Sequence, residues 1–505
     1  MNSALTLLIL LPLIGATIAA LAPVKQVGQI AAVMTLVQIG FLVPILIDFQ
    51  VGVELQAYVD EIWIEELGIH YALGIDGLNI FMVALTVFAW AIATFWAATK
   101  EWEQPRMFYA MLALAEAGTI GAFVAQDLIL FILFFDLLLI PFYFLIGMWG
   151  EGDRRRATGT FMIYTLAGSL LMLVGAVAYG VISSYQNQTE ISFLLSDLAA
   201  APVGGSTQGW IFAGFALALL IKMPIPPLHG WMPITYRSTP LPVLVVLSAV
   251  VAKLGAYGFL RVVLPLMPDA ANNFQHVLLV LAIIAIIYGS VMAFSQDEAR
   301  MVVGYSSVAQ IGFVLLGIFV LDAKGAEGAL LQMLNHGIVV VGLMLVIGFL
   351  AARSNSERLS EMGGLARSAP IFAVMFLIVA LATLAMPGSA NFVGELYIIF
   401  GALSDQFVYG AIATIGVPLA AVYMIRMFQK SMHNREHAEG RSRELNATEF
   451  GLLLPAVLAV LALAVYPQFV VERIEPNAEF TVEAYQPSTA VAGGGGAAVS
   501  KEADE

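Results

Sequence analysis

The stretch LLIKMPIPPLHGWMP, Leu219–Pro233, decides the fold. An apolar run enters it from Trp210, then Lys222 and four prolines follow within a dozen residues. Proline removes a backbone donor and clashes with the preceding turn. Carbonyls freed at membrane depth persist only where protein or a water-filled cavity satisfies them. A lysine beside such a break therefore predicts a polar site inside a membrane bundle, not a plain lipid anchor.

The rest of the chain supports a bundle. Its 505 residues are 60% hydrophobic and 11% charged, and the mean hydropathy is +0.89, outside the range of ordinary soluble domains. Apolar runs long enough to span a bilayer recur at about 3–22, 27–48, 78–98, 107–125, 127–147, 159–184, 209–231, 242–264, 275–295, 301–320, 327–350, 369–401, 408–430 and 448–470. The expected fold is an all-α polytopic membrane protein of about fourteen transmembrane helices. The first run is not a removable signal, because neither a small-residue cleavage site nor a soluble domain follows.

Basic residues test the count. One set of alternate loops holds sixteen of the 22, from Lys25 through Arg154, Arg155, Arg156, Arg300 and Arg358 to Arg443; the other holds Lys324, Arg473 and Lys501. The positive-inside rule makes the first face cytoplasmic and puts both termini outside. The segments 49–77 and 185–208 are then external loops. The tail from 471, with GGGG at 493–496, reads as disordered for want of apolar content; its glycines are no phosphate cradle, lacking a preceding strand and a following Gly-Lys-Ser/Thr.

A second break, MPGSAN at Met386–Asn391, falls five spans after the first. Matching breaks predict two inverted five-helix repeats, with discontinuous helices 7 and 12 and a site near the midplane. A packing kink alone accounts for either break singly. The organisation expected is helices 1–3 with the external loop (1–106), a first repeat of helices 4–8 (107–264), a second of helices 9–13 (275–430), a cytoplasmic linker with helix 14 (431–470), and the tail (471–505).

Five ionisable residues lie within otherwise uncharged spans: Asp136, Lys222, Lys253, His336 and Glu395. A charge at a helix centre costs ~3 kcal/mol on insertion scales, so such residues face a bundle interior and mark ion or proton pathways. A structural ion pair is the alternative for Asp136 with Lys222. Two opposite charges 4 Å apart interact by ~4 kcal/mol at an effective dielectric of 20, and moving one proton against 200 mV costs ~4.6 kcal/mol. One pair opening and closing is thus the right size of lever.

Glu116, Asp127 and His229 lie in or at the ends of spans, as pathway members or satisfied polar contacts. HNREH at 433–437 has metal-ligand spacing without further ligands and reads as a solvated linker. The absence of cysteine excludes disulfides, iron–sulfur ligation and thiolate zinc on this chain, and six scattered histidines offer no facing haem ligands.

LGIDGLN (73–79), PFYFLIGMWG (141–150), KMPIPPLHGWMP (222–233), YSSVAQIGF (305–313) and MPGSANFVGE (386–395) together resemble the antiporter-like membrane-arm subunit M family of respiratory complex I, NADH-quinone oxidoreductase, the equivalent of mitochondrial subunit 4. The resemblance runs from the first span to the fourteenth. It implies one proton channel in a translocase, with no redox chemistry or cofactor on this chain; flavin, iron–sulfur clusters and quinone belong to other subunits. It implies as partners the other membrane-arm subunits, two related antiporter-like subunits among them, and the lipid of an energy-transducing membrane such as the bacterial plasma membrane, but no nucleic acid. Asp136 stands at the family's fifth-helix glutamate, paired with Lys222. Lys253 and His336 stand on the central polar axis, and Glu395 at the exit half-channel.

Besides Asp136, which is one methylene shorter than glutamate, four positions depart from the pattern. Gln310 stands where histidine is usual, Ile234 and Tyr236 where aspartate and histidine are, and Thr160 where lysine is. An amide cannot hold a proton as imidazole can. The sequence thus leaves open, beside proton translocation, a subunit of a multisubunit cation/proton antiporter and a structural arm subunit that conducts nothing.

Overall fold

The structure, a computed structural model, describes residues 4–433 and 443–483. It is helical almost throughout, and its helices fall where the apolar runs predict them. α1 (Ala4–Leu21) and α2 (Val24–Asp48) lie at the edge, followed by α3 (Ile80–Ala98), α4 (Pro105–Val124), α5 (Leu128–Trp149) and α6 (Arg154–Asn187). The seventh span is α7 (Ser206–Lys222) continued after a break by α8 (Met232–Ser238). Then come α9 (Leu241–Leu266), α10 (Pro268–Ser295), α11 (Ala299–Phe319) and α12 (Ala323–Ser354). The twelfth span is likewise divided, into α13 (Pro370–Thr383) and α14 (Ala390–Asp405). α15 (Phe407–Met432) and α16 (Ala447–Val465) complete the bundle.

Twelve of these helices are individually long and apolar enough to cross a membrane. The two spans that are not, α7 and α13, are the two that break. α9 and α11 are enclosed by protein over their whole apolar windows, and α12 nearly so, whereas α1, α2 and α16 are mostly uncovered. The core is therefore built around the helices that carry Lys253, Gln310 and His336.

The segment 49–77, expected as a loop, contains an antiparallel hairpin, β1 (Gln56–Ile64) and β2 (Ile69–Ile75). Val59, Ile62, Ile64, Ile69, Tyr71 and Ile75 supply the β-branched and aromatic side chains that suit a pleated surface. Backbone bonds from Gln126 N to Ala72 O (2.8 Å) and from Phe193 N to Gly68 O (3.0 Å) tie the hairpin to the α4–α5 and α6–α7 connections. All three connections thus lie on one face. On the opposite, arginine-bearing face, Arg300 pairs with Glu357 and Arg353 with Glu449.

The expectation of a disordered tail from 471 is corrected for its first part. α17 (Gln468–Glu483) is a surface helix that buries Val470, Val471, Ile474 and Ala478, a spacing that places them along one helical face. Asn477 Oδ1 accepts a bond from Gly77 N (3.0 Å), and Asn477 Nδ2 reaches Val53 O (3.4 Å), docking α17 beside the hairpin. The glutamates between the apolar positions lower the average hydropathy and hide this pattern from composition. GGGG at 493–496 and most of the HNREH stretch lie outside the described residues.

LGIDGLN is a structural knot. Asn79 Nδ2 donates to Gly74 O and Phe123 O (both 2.9 Å), while Asp76 Oδ1 pairs with Arg261 Nη2 at 2.5 Å. Arg261 also donates to the Tyr257 hydroxyl (2.9 Å), which in turn donates to Phe123 O (2.7 Å). This ties the start of α3 to α9 and the end of α4.

Candidate functional site

Both breaks are held open by compensating bonds. Pro224 cannot donate to the Leu220 carbonyl, which accepts from Ile225 N instead (3.1 Å), and the Trp231 indole covers Ile221 O (2.9 Å). At the second break Met386 N reaches Leu381 O (3.3 Å), and the Asn335 amide donates to Ala390 O (2.6 Å). Each break therefore leaves an ionisable residue beside irregular, protein-covered backbone: Lys222 at the end of α7, Glu395 in the second turn of α14.

Lys222, Lys253, His336 and Glu395 are 3%, 0%, 1% and 1% exposed. Lys253 follows a π turn, Leu247–Val251, in α9 and donates to Ser248 O within it (3.2 Å). Such single turns mark functional positions in helices. Lys253 also acts electrostatically on His336 of α12, whose Nδ1 has no hydrogen-bond partner. The structure thus brings these two onto one axis.

The direct Asp136–Lys222 pair expected from sequence is not formed. The Lys222 ammonium sits over the Phe135 ring, 4.4 Å from its centroid. Asp136 Oδ1 has no hydrogen-bond partner; the Ser169 hydroxyl lies beside it, and Lys222 acts on it only at longer range. An aspartate reaches one methylene less far than glutamate, and the Lys222 ammonium is instead engaged by the ring of the preceding residue, Phe135. Asp136 is only half-buried, on a helix face that also exposes Leu133 and Ile140.

The second half carries a cluster that a search for charges alone misses. Gln332 Nε2 on α12 donates to Gln310 Oε1 on α11 (2.5 Å) and lies 3.4 Å from Glu395 Oε1 on α14. Ser306 donates to the Tyr423 hydroxyl (3.0 Å), which lies against the Gln310 amide. Asn335 and Asn391 are fully buried nearby in sequence, and Asn391 uses neither of its polar atoms. Gln332, Asn335 and His336 recur at helical spacing along α12, and Asn391 and Glu395 share a face of α14. That spacing was the available signal.

The accessory candidates separate. Glu116 is buried away from the axis, in a cavity of about 30 Å³ lined by Thr35, Gln38, Thr94 and Tyr109 of α2–α4 among others. Asp127 is a helix cap: it accepts from Ile129 N and Leu130 N (both 2.9 Å) and from His70 N (3.0 Å). His229, at the first break, meets the Tyr288 hydroxyl (3.0 Å) and the Tyr305 ring. Tyr236 is buried among core side chains, and Ile234 packs against them.

Three carboxylates, Glu327, Glu475 and Glu479, converge where α17 meets α12, with the Lys324 ammonium 2.9 Å from Glu327. That lysine already supplies the cluster with a cation, and the contact fastens α17.

At and between the two breaks in sequence lie buried groups of the kinds that can gain and lose a proton, two lysines, an imidazole and a carboxyl, and the described residues bring together no thiolate or paired-histidine site for a redox metal.

Residues 125–420 match the family described as NADH:quinone oxidoreductase/Mrp antiporter, TM. The chain is 35% identical over 439 residues to NADH-quinone oxidoreductase subunit M of Rhodobacter capsulatus, covering 85% of each chain. It is 33% identical over 535 residues to the subunit M of Mycobacterium tuberculosis, covering 97% of this chain and 96% of that one. Its structure superposes with a TM-score of 0.88, at 29% identity, on a chain of respiratory complex I from Thermus thermophilus, covering 95% and 99%. The chain belongs to the antiporter-like membrane subunits of the NADH:quinone oxidoreductase/Mrp antiporter family.

Proposed function

We propose that this chain is a proton channel in the membrane arm of an NADH-quinone oxidoreductase and carries out no electron transfer of its own. The observation that carries the proposal is the set of buried ionisable groups at and between two broken helices, with Lys222 and Glu395 at the breaks and Lys253 and His336 on the enclosed helices between them in sequence. Burial and an approaching opposite charge act on proton affinity in opposite senses, so each group can take and release a proton as its neighbours move.

In this reading the arginine-bearing face is cytoplasmic and both termini lie outside. Helices α4–α9 and α10–α15 form the two inverted repeats. Protons enter near the first break, pass Lys222, Lys253 and His336, and leave by Glu395. Asp136, half-buried on an outward face, conveys the state of a neighbouring subunit to Lys222 through the longer-range charge interaction.

Gln310, Ile234 and Thr160 favour a second reading, a subunit that assembles the arm and conducts nothing. Glu395→Gln in assembled complex, reconstituted in vesicles, separates the two. Proton conduction predicts fewer protons moved per electron. Normal electron transfer with unchanged proton stoichiometry would replace it with the scaffold reading.

A further inference from the structure

Gln310 poses a problem for any proton path through the second half, because it is fully buried at the centre of the cluster and cannot itself hold a proton. Its surroundings offer a solution. The Gln332 amide directs Nε2 toward both Gln310 Oε1 and Glu395 Oε1 and leaves Oε1 without a partner. Gln310 Nε2 and Glu395 Oε2 make no hydrogen bond of good geometry, although the Gln310 amide lies beside both the Glu395 carboxyl and the Tyr423 hydroxyl. Both bonds of the Gln310–Gln332–Glu395 group thus run outward from Gln332 Nε2, one to the Gln310 carbonyl and one to the Glu395 carboxyl.

An amide has a donor and an acceptor of nearly the same shape, so turning both glutamine amides over gives a second arrangement. In it Gln310 Nε2 donates to Gln332 Oε1, and the same oxygen accepts from a protonated Glu395. The observed arrangement suits Glu395 as carboxylate and the reversed one suits it as acid. The Gln332 amide fits here because residue 394 is glycine: Gln332 Oε1 lies 2.7 Å from where a Cβ there would stand, so a side chain at 394 would displace it.

We propose that Gln332 and Gln310 are a paired positioning element that reverses its hydrogen bonds when Glu395 gains or loses a proton. The pair itself carries no proton; the one on Glu395 arrives from the axis and leaves outward. Reversal changes what Gln310 presents to Tyr423, and so reports the state of Glu395 to α15. This rests on the proton-channel reading above.

The test uses assembled complex in vesicles, comparing Gln332→Met, Gln310→Met and the double variant, with Lys222→Ala as reference. Both single variants are expected to lose a similar share of protons pumped per electron. The double variant is expected to lose no more than either, as for residues acting as one unit. Isotope-edited infrared difference spectra of wild type, which need no variant, should show glutamine side-chain bands changing together with the Glu395 carboxyl band, the latter identified by its loss in Glu395→Gln. Gln332→Met with wild-type stoichiometry while Lys222→Ala loses pumping would overturn the proposal alone. So would a Glu395 band that changes with no glutamine band beside it. If Lys222→Ala also pumped normally, the channel reading would fall with it.

Discussion

Replacing Gly328 by alanine should impair proton movement without touching any titratable group. A Cβ at residue 328 of α12 would stand 2.6 Å from Ile398 N and 2.9 Å from Gly394 O, both main chain of α14. Neither can rotate away, so the helices must part. Restoring an ordinary 3.4 Å contact to Ile398 N requires about 0.8 Å of separation. The bond from Gln332 Nε2 to Glu395 Oε1, already 3.4 Å, would then lengthen to about 4.2 Å if it opened by the full amount, past hydrogen-bonding range. Overpacking a close interface costs about 1–3 kcal/mol, a modest loss for a bundle of this size. The variant should therefore assemble. Its thermal midpoint should fall by a few degrees, and its protons pumped per electron, read by a pH-sensitive dye in vesicles during quinone reduction, should drop. Wild-type stoichiometry with the thermal loss present would refute the inference that α12–α14 proximity matters to the path.

Three further outcomes follow from other parts of the molecule. Arg261→Met should strand the Asp76 carboxylate, whose side chain is 3% exposed, and cost about 3–5 kcal/mol, the penalty for removing one partner of a buried pair; Asp76→Asn in the same chain should recover part of it in a thermal-shift assay. Asn477→Ala should lose the bond to Gly77 N and leave that N–H uncovered, costing about 1–3 kcal/mol, seen as faster proteolysis within α17. Asp297, in the connection between α10 and α11, has its carboxyl held below the usual range, first by the Ser360 hydroxyl bond and further by the Ser360 N–H and the charges of Lys430 and Arg358. A depressed carboxyl contributes stability that is present above its unfolded value and lost as pH falls through its folded one, so Ser360→Ala should move the Asp297 titration, followed by carbon NMR of labelled aspartate, to higher pH.

The spans were legible because twenty-residue apolar runs have few other meanings, and the breaks because Pro224, Pro226, Pro227 and Pro387 interrupt two of them. Lys222, Lys253, His336 and Glu395 stood out as charges where charges are costly. The amides did not: Gln332, Asn335 and Asn391 are uncharged, and only the packing of α12 on α14 brings Gln332 to Glu395 and Asn335 to the Ala390 carbonyl. Asp76 and Arg261 are 185 residues apart, and nothing local to either names the other. Asp136 was legible as a charge within a span, but neither its half-exposed position nor the engagement of Lys222 by Phe135 could be read from the sequence. The early part of the tail escaped because Glu472, Glu475 and Glu479 dilute an apolar stripe that becomes visible only at helical spacing.

The central claim is that protons pass through this chain by way of its buried lysine at the first break. Proton pumping and quinone reductase activity, measured in the same vesicles for wild type and Lys222→Ala with assembly verified, test it most directly. Lys222→Ala is expected to lose pumping, with or without a fall in electron transfer; unchanged values of both in fully assembled complex would contradict a path through Lys222.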